Sequence, residues 1–396
     1  MARRRNKHDQ GARSRARHSE GAGGAQVALP ALSSLLDVPP FDDLASDAVQ
    51  RAAFAQACER VVREYGVDAD ELCMGCVVRL DRGFPAVVCA SGLIRAEHAA
   101  RLAKLDEIRP AVGDWVVCRR PPEHDMGVIE EVLPRSSELA RWRGGTRGER
   151  QTLAANVDVV LVAQQLGDRP LACDRIVRSV VVALDGGSAV AVVLTKADRA
   201  GAPGLERDAS LVREVLGEGV PVVATAAGAD DACDLADAAA RSGAAWGTDA
   251  VAGLVGPRRV GVVLGESGAG KSTLLNALLG HEALEVGEVR GRDDAGRHTT
   301  VARRMVALPQ GGVIVDAPGL RSLPVLGHEE GLSRAFPLVT EAAGMCRFRD
   351  CTHTSEPGCA VLAACEAGEF PPARLEAYRA IAAEMDHARR MLDPDV

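Results

Sequence analysis

The segment GESGAGKS, residues 265–272, contains the residue types that bind a nucleoside triphosphate. It matches the pattern G-x-x-x-x-G-K-[ST] at every fixed position, follows the apolar run RVGVVL and opens a helical stretch that closes at Gly280. Its glycines let backbone N–H groups turn inward around a β-phosphate, and the helix N-terminus adds partial positive charge. We expect Lys271 to bridge the β- and γ-phosphates and Ser272 to ligate Mg²⁺. A glycine-rich turn without a ligand is the disfavoured alternative, because the fixed positions and the context both match.

The segment DAPG, residues 316–319, ends the apolar strand GVIVDAP downstream of this phosphate loop. At such a strand end Asp316 can hold Mg²⁺ through water, and the N–H of Gly319 can reach the γ-phosphate. A lone DxxG is common by chance. Its position after a phosphate loop makes it informative and predicts a loop that senses hydrolysis.

The polar segment GRHTT, residues 296–300, lies between these two motifs. A loop threonine that closes over Mg²⁺ and the γ-phosphate is expected here, and either Thr299 or Thr300 fits that role. His298 is a candidate for orienting the attacking water, and a surface-loop histidine is the alternative that stays open. Leu320 follows DAPG where many GTPases carry a glutamine, so we expect slow hydrolysis without help from a partner.

The segment TKAD, residues 195–198, has the residue types that read a guanine base. The Asp198 carboxylate can accept hydrogen bonds from guanine N1–H and N2–H₂, a donor pair that adenine lacks. The stem of Lys196 is expected to lie along the base. Alone, TKAD is an ordinary strand-end turn. Base recognition is favoured because VVATAA follows one strand later, where the backbone of Thr225 and Ala226 can meet guanine O6.

The segment CRFRDCTHTSEPGC has the spacing of a metal site, C-x₄-C-x-H-x₅-C. Three thiolates and one imidazole form a closed tetrahedral set for Zn²⁺, with no position left for a reacting water, so a structural zinc is predicted. Four residues buried by chance are the weaker alternative, because the segment is polar and has few apolar residues. The predicted ligands are Cys346, Cys351, His353 and Cys359.

The elements that position these motifs divide the chain of 396 residues into several domains. Apolar strands alternate with helical stretches over 150–325, which indicates a parallel sheet covered on both faces, with functional loops at the strands' carboxyl ends. Short strands broken by turns over 72–138 predict an OB-like β-barrel. Residues 330–396 are predicted to be mainly helical, with a packing stripe on the last helix at Leu375, Tyr378, Ala382, Met385 and Leu392.

Residues 1–71 are predicted to form a basic, disordered tail and a helix that begins after Asp47 and ends at Gly66. The net charge of the chain is −8, yet residues 1–24 hold six Arg and one Lys against one Asp and one Glu. A tail that contacts phosphate backbones and a tail that only solubilises both remain open. No apolar run is long enough for a bilayer and no secretory signal follows the first charges, so we expect a cytoplasmic protein without a membrane partner.

The motifs together resemble the ribosome small-subunit-dependent GTPase A family, also called RsgA, YjeQ or EngC, over roughly residues 72–392. These proteins are circularly permuted GTPases, in which the base-reading loop precedes the phosphate loop as it does here. The resemblance implies a late-acting assembly factor that binds the small ribosomal subunit and its rRNA through the barrel and the zinc domain. GTP binding is expected to favour docking, and hydrolysis stimulated by the subunit is expected to favour release. It rests on VVRLDRGF, VGDWV, AANVD, GESGAGKST, GRHTT, DAPG and the cysteine–histidine spacing.

Two departures from that family affect the expectations. Thr195 replaces the usual asparagine of the base-reading loop, so we expect lower nucleotide affinity, and Ala317 replaces a threonine that is not expected to touch Mg²⁺. Residues 1–71 exceed the family core. The leading interpretation is a monomeric, ribosome-stimulated GTPase, and the alternatives are a GTP-gated RNA-binding module with negligible turnover and a P-loop ATPase with a chance TKAD.

The predicted site residues fall into four groups, with GTP, Mg²⁺ and one structural Zn²⁺ as cofactors. The hydrolytic candidates are His298, Thr299 and Thr300, the magnesium ligands Ser272 and Asp316, and the zinc ligands the four residues named above. The predicted nucleotide contacts are Thr195, Lys196, Ala197, Asp198, Thr225, Ala226, Gly265, Glu266, Ser267, Gly268, Ala269, Gly270, Lys271, Ser272, Thr273, Asp316 and Gly319.

Overall fold

The computed structural model describes most of the chain from residue 37 onward. The described residues are 32, 37–81, 84–100, 102, 109–122, 124–143, 149–228, 232–281, 303–316, 325 and 327–392. The expectations for the tail at 1–24, for GRHTT and for Gly319 and Leu320 lie outside them.

The described residues form fourteen strands and ten α-helices. The strands are β1 (Leu72–Asp81), β2 (Phe84–Cys89), β3 (Gly92–His98), β4 (Trp115–Arg119), β5 (Gly127–Val132), β6 (Glu138–Arg143), β7 (Glu149–Ala155), β8 (Val159–Gln165), β9 (Ala189–Thr195), β10 (Val222–Ala224), β11 (Ala245–Trp246), β12 (Val260–Leu264), β13 (Arg303–Ala307) and β14 (Val313–Asp316). The helices are α1 (Ala48–Tyr65), α2 (Cys173–Asp185), α3 (Ala197–Leu216), α4 (Cys233–Arg241), α5 (Thr248–Val255), α6 (Lys271–Leu279), α7 (Glu329–Ala335), α8 (Pro337–Ala343), α9 (Ala360–Glu366) and α10 (Pro372–Leu392).

Strands β1 to β5 form the predicted barrel. They pair in the order β1-β2-β3-β5-β4, and β1 also pairs with β4, which closes the sheet on itself. Alternate side chains along each strand point inward, and Val77, Val87, Val116 and Ile129 are fully buried there. This five-stranded barrel confirms the prediction of a small β-barrel in this region.

The central α/β sheet runs in the order β11-β10-β9-β8-β12-β14-β13. All neighbours in it are parallel except β13, which is antiparallel to β14. Strand β9 is a continuous apolar run that ends at Thr195, whereas β10 is only three residues long, so Thr225 lies beyond it. Sequence analysis missed β13, because its sequence RRMVA begins with two arginines instead of an apolar run.

The barrel and the central sheet share one continuous ladder of strands. Strand β1 pairs antiparallel with β13, with Arg79 opposite Arg304 and Leu80 opposite Arg303. The strand next to the DAPG strand is therefore also next to the barrel. No feature of the sequence indicated this pairing.

A buried ion pair ties the barrel to the hairpin formed by β6 and β7. Asp114 is fully buried, and its two carboxylate oxygens accept hydrogen bonds from Arg135 Nε at 2.7 Å and Arg135 Nη2 at 2.8 Å. Arg135 also donates to Glu138 and Thr152, each at 2.7 Å. Because the other donors of Arg135 are also hydrogen-bonded, these contacts offset much of the free energy of desolvating the buried pair. Removing one partner would leave the other charge buried and unpaired.

The segment before the barrel packs against the junction between barrel and central sheet. Helix α1 begins with a capping box between Asp47 and Gln50 and ends at Gly66 in the left-handed conformation, as predicted. The Gln50 side chain donates to Asn156 Oδ1 at 2.9 Å, and Asn156 Nδ2 donates to Gly113 O at 2.8 Å. Asn156 thus joins this segment, the barrel and the entrance to the central sheet.

The C-terminal helices pack on α2 of the central domain. The carboxylate of Asp185 at the end of α2 contacts His328 Nδ1 at 2.8 Å and Gly331 N at 3.0 Å. Arg178 of α2 pairs with Glu384 of α10 at 2.6 Å.

Leu375 and Met385 of the predicted packing stripe are buried, while Tyr378 and Ala382 are half-buried. Helix α10 begins at Pro372, because proline is well tolerated in a first helical turn. None of the described helices has the length and hydropathy of a membrane span.

The two glutamines of α1 test whether this segment stabilises the junction. Gln50 is 2% exposed and carries the capping box and the Asn156 contact, whereas Gln56 is exposed. Gln50→Ala should lower the free energy of unfolding by about 2 kcal/mol, because it removes the capping box and the bond to Asn156 and leaves a gap at a buried position. Gln56→Ala, the matched control, should change it by less than about 0.5 kcal/mol. Urea unfolding followed by tryptophan fluorescence measures both, and equal effects of the two variants would contradict the assigned role.

Candidate functional site

The phosphate loop connects β12 to α6 with the geometry that its glycines allow. A Cβ atom added to Gly265 would lie 2.5 Å from the carbonyl oxygen of Ala163, so only glycine fits there. Gly268 and Gly270 have φ values of 85° and 81°, which other residues rarely adopt. The loop therefore turns its backbone inward at the N-terminus of α6, where N–H groups and the helix dipole favour an anion.

The Lys271 side chain lies along the phosphate loop. Its Nζ atom donates to Gly265 O at 2.7 Å and to Glu266 O at 2.6 Å. The ammonium is thus held over the loop that is predicted to cradle the β-phosphate. Glu266 also pairs with Arg175 of α2, a contact that sequence analysis missed.

The predicted base-reading loop is bonded directly to the phosphate loop. Thr195 is 4% exposed, and its hydroxyl donates to Ala269 O at 2.7 Å. Lys196 has a φ of 57°, and its Nζ atom donates to Gly268 O at 2.6 Å and to Gln165 Oε1 at 2.8 Å. Burial is the main cause that lowers the pKa of Lys196. Two loops that are far apart in the sequence therefore meet at the carboxyl ends of β9 and β12, the strands on either side of β8.

Thr225, which follows β10, connects a third loop to the predicted base-reading loop. Its N–H donates to Leu194 O at 2.8 Å and its carbonyl oxygen accepts from Ala197 N at 3.1 Å, while Ala226 is fully buried. Asp198, in the first turn of α3, is exposed. An open pocket of about 360 Å³ lies between the loops, lined among others by Thr195, Lys196, Thr225, Gly270 and Thr273. The structure thus brings together the predicted base-reading and phosphate-binding residues around one space.

Asp316 ends β14, which lies beside the strand that leads into the phosphate loop. Its Oδ2 atom is 3.9 Å from Arg304 Nε of β13. Burial raises the pKa of the Asp316 carboxyl, and the Arg304 guanidinium partly offsets that rise. Ser272 is the second residue of α6, which follows β12 through the phosphate loop, and Asp316 ends β14, the neighbour of β12. A hydroxyl and a carboxylate, both hard oxygen ligands of the kind Mg²⁺ prefers, therefore lie beyond or at the ends of two neighbouring strands.

Besides Arg175, two further contact residues of this site escaped sequence analysis, for different reasons. Gln165 is the last residue of β8, and its position at a strand end was a usable signal for a site residue. Arg304 lies in a strand that was not predicted, so nothing in the sequence placed it beside Asp316. Of the predicted nucleotide and hydrolytic residues, Gly319 and the GRHTT candidates lie outside the described residues.

The predicted metal ligands meet in one cluster in the C-terminal region. The ligand atoms of Cys346, Cys351, His353 and Cys359 all lie within 4.8 Å of one another. His353 Nδ1 is 3.6 Å from Cys346 Sγ and 3.5 Å from Cys359 Sγ, and those two sulfurs are 3.9 Å apart. Burial is the main cause that lowers the pKa of His353, which favours the neutral imidazole that binds metals. This geometry is that of a metal site.

Glu356 organises the loop that carries these ligands. Its carboxylate accepts hydrogen bonds from the backbone N–H groups of Thr352 at 2.8 Å, Thr354 at 2.9 Å and Ser355 at 3.1 Å. Hydrogen bonds from Thr352, chiefly from its hydroxyl, hold the pKa of Glu356 well below its usual range. The loop is thereby fixed around the cluster despite having few apolar residues to bury.

Comparison with known proteins agrees with this site. The RsgA GTPase family model matches residues 132–326. A Small ribosomal subunit biogenesis GTPase RsgA from Streptomyces avermitilis is 39% identical over 320 residues, which cover 80% of each chain. The chain belongs to the RsgA GTPase family. The order of motifs predicted from TKAD and GESGAGKS, that of a circularly permuted GTPase, is thereby confirmed.

Two further relatives extend the likeness of this RsgA GTPase over most of its length. The protein of the same name from Streptomyces coelicolor is 41% identical over 319 residues, 80% of this chain and 81% of the relative. The crystal structure of YjeQ from Thermotoga maritima matches with a TM-score of 0.59 at 25% identity, covering 79% of this chain and 98% of that chain. The shared architecture is the barrel, the GTPase domain and the helical region with the metal cluster.

The hydroxyl of Thr195 can be tested for its part in nucleotide binding. Thr195→Val keeps the shape but leaves the buried Ala269 carbonyl without its donor, so GTP affinity should fall roughly five- to tenfold, which is about 1 kcal/mol. Thr195→Ser retains the hydroxyl and should stay within about twofold of the native protein. Titration with a fluorescent GTP analogue measures both. Equal affinities of the valine and serine variants would show that the bond does not support the site.

Proposed function

We propose that this RsgA GTPase binds the small ribosomal subunit through its rRNA and assists late maturation, hydrolysing GTP to GDP and phosphate with stimulation by the subunit. The observation that carries this proposal is the direct bonding of the base-reading loop to the phosphate loop in a chain whose relatives are small-subunit biogenesis GTPases. The protein would act in the cytoplasm, where ribosomes are assembled.

The proposed contacts with the phosphates and Mg²⁺ come from the phosphate loop, the start of α6 and the end of β14. The phosphate loop and Lys271 hold the β- and γ-phosphates, and Ser272 and Asp316 hold Mg²⁺. The magnesium ion supplies positive charge that neutralises the phosphoryl group as it is transferred. Lys271 needs only to redirect hydrogen bonds that it now gives to the loop carbonyls at 2.7 and 2.6 Å.

Guanine selectivity is proposed to rest on Asp198. Its exposed carboxylate at the start of α3 is free to accept the N1–H and N2–H₂ groups of guanine, and an adenine base would leave these oxygens unpaired. The bonds from Thr195 and Lys196 to the phosphate loop support this proposal, because they fix α3 relative to the phosphates. The backbone of Thr225 and Ala226 would lie at the guanine O6 side.

The hydrolytic step is proposed to depend on the partner. The residue after Gly319 is Leu320, which has no group that can orient water. His298 is proposed to orient the attacking water, and Thr299 or Thr300 to close over Mg²⁺ and the γ-phosphate. Contact with the subunit would complete this arrangement, so that turnover occurs after docking and favours release.

The metal cluster is proposed to hold one structural Zn²⁺. Zinc–sulfur bonds of about 2.3 Å and zinc–nitrogen bonds of about 2.0 Å in a tetrahedron place two sulfurs about 3.8 Å apart, and a sulfur and a nitrogen about 3.5 Å apart. The corresponding separations of 3.9 Å, 3.6 Å and 3.5 Å fit that ion. Four protein ligands leave no open position, so the ion would stabilise the fold and take no part in the reaction.

A GTP-gated RNA-binding module with negligible turnover is the second candidate function. The absence of a glutamine after DAPG is compatible with it, because both candidates predict slow hydrolysis by the isolated protein. Single-turnover hydrolysis with purified small subunits distinguishes them. A rate that the subunits leave unchanged would support the binding module and exclude the stimulated enzyme.

The subunit-stimulated reaction is also the main test of the proposal. Small subunits should raise the hydrolysis rate of the native protein by at least roughly tenfold, and Lys271→Ala should remove that stimulated activity because the transferred phosphoryl group loses its cation. Asp198→Asn should weaken GTP binding without improving ATP binding. Effective displacement of labelled GTP by ATP from the native protein would instead indicate an ATPase.

Zinc is tested with two cysteines of the same region. Cys351→Ser should reduce bound zinc below one ion per chain and destabilise the C-terminal region, because a ligand is lost from a closed site. Cys365→Ser is the matched control, since Cys365 lies on α9 outside the cluster and should leave one zinc per chain. Elemental analysis and thermal unfolding measure these outcomes. A fully folded native protein that carries no zinc would overturn the assignment.

A further inference from the structure

A row of charged side chains crosses the junction between the barrel and the GTPase sheet. Arg79 on β1 lies directly opposite Arg304 on β13, and Arg304 lies directly opposite Asp316 on β14. Residues directly opposite each other on antiparallel strands point to the same face, with their Cβ atoms about 5 Å apart. Two guanidinium groups from different domains therefore stand side by side next to the DAPG carboxylate.

Each of these arginines has a carboxylate beside it: Asp81, two residues along β1, for Arg79, and Asp316, on β14, for Arg304. Asp81 accepts two hydrogen bonds from Arg79 Nε, at 2.8 and 2.9 Å, and pairs with Arg95 Nη1 at 2.7 Å. Arg304 Nε has Asp316 Oδ2 at 3.9 Å. The four side chains of the two pairs are between 7% and 23% exposed, so solvent and salt screen these charges only partly.

Two cations can therefore interact with Asp316. One is the Arg304 guanidinium beside it, and the other is the Mg²⁺ that the proposed function assigns to this carboxylate. We propose that Arg304 is a positioning residue that competes with magnesium for Asp316 and couples the nucleotide site to the barrel. This inference rests on the magnesium role of Asp316 in the proposed function. It needs no contact between Arg304 and the nucleotide.

The coupling follows from the charges in the row. When Asp316 binds Mg²⁺, its carboxylate neutralises less of the positive charge of Arg304. Arg304 still lies directly opposite the positive charge of Arg79. Like charges directly opposite each other destabilise a strand pair, so the pairing of β1 with β13 weakens. Linkage is reciprocal, and the paired junction must therefore lower the affinity for the magnesium nucleotide by the same factor. The barrel receives the state of the nucleotide through three adjacent strands.

The test is the magnesium dependence of nucleotide binding by the full-length protein without ribosomal particles. Fluorescence of bound mant-GDP is followed while free Mg²⁺ is raised, and the half-saturating concentration is read. Arg304→Gln should lower this concentration roughly five- to tenfold, at the lower end of typical coupling between two sites. Arg79→Gln should lower it by a smaller factor, although Arg79 belongs to the barrel and touches no nucleotide residue.

Two variants serve as controls. Arg304→Lys keeps the charge and should stay within about twofold of the native protein. Arg303→Gln removes the same charge from the neighbouring position on β13, which lies opposite Leu80 on the other face, and should have no more than a twofold effect. Binding of mant-GDP in the presence of a chelator should be equal in all variants, which shows that the nucleotide site itself is intact.

The outcomes separate this inference from the proposed function. An unchanged or higher half-saturating Mg²⁺ concentration in Arg304→Gln overturns the competition. A response of Arg304→Gln with none in Arg79→Gln overturns the coupling to the barrel. A native protein that binds mant-GDP only weakly at every Mg²⁺ concentration would contradict the GTPase assignment instead, and subunits that fail to stimulate hydrolysis would contradict the proposed partner alone.

Discussion

The structure depends on the hydrogen bond by which Thr195 holds the phosphate loop. Its hydroxyl reaches Ala269 O at 2.7 Å from a strand that precedes that loop in the chain, and Lys196 reinforces it through Gly268. Both bonds are possible because β9 and β12 flank β8 in a parallel sheet, which brings their carboxyl ends to one edge.

The permuted chain order has a consequence for how the parts of the molecule are connected. With the base-reading loop first, the DAPG strand comes last in the GTPase sheet and is separated from the C-terminal helices by a short connection. Those helices return to α2 through the contacts of Asp185 and Arg178, and α2 reaches the phosphate loop through Arg175 and Glu266. The region that carries the metal cluster is therefore connected to the nucleotide site at both of its ends.

The barrel is attached to the GTPase sheet by polar contacts that serve different purposes. Asn156 and the Asp114–Arg135 pair are fully hydrogen-bonded and fix the barrel against the entrance to the sheet. The pairing of Arg79 with Arg304 places like charges opposite each other, with the carboxylates of Asp81 and Asp316 beside them. A rigid attachment at one place and a charge-sensitive one at another allow the junction to respond to the nucleotide without coming apart.

The sequence by itself determined the features whose physical cause is local. The glycine spacing before Lys271 predicted the phosphate loop, the Ala-rich stretch between Asp47 and Gly66 predicted a helix, and the spacing of Cys346 to Cys359 predicted the metal cluster. Alternating apolar and helical stretches over 150–325 predicted the parallel sheet. Each of these patterns involves residues close together in the chain. Only the tertiary structure decided which distant residues meet. The pairing of β1 with β13, the Gln50–Asn156 bond and the place of Arg304 beside Asp316 join segments far apart in the chain, and no local pattern encodes such pairs because their energy comes from the packing of whole domains.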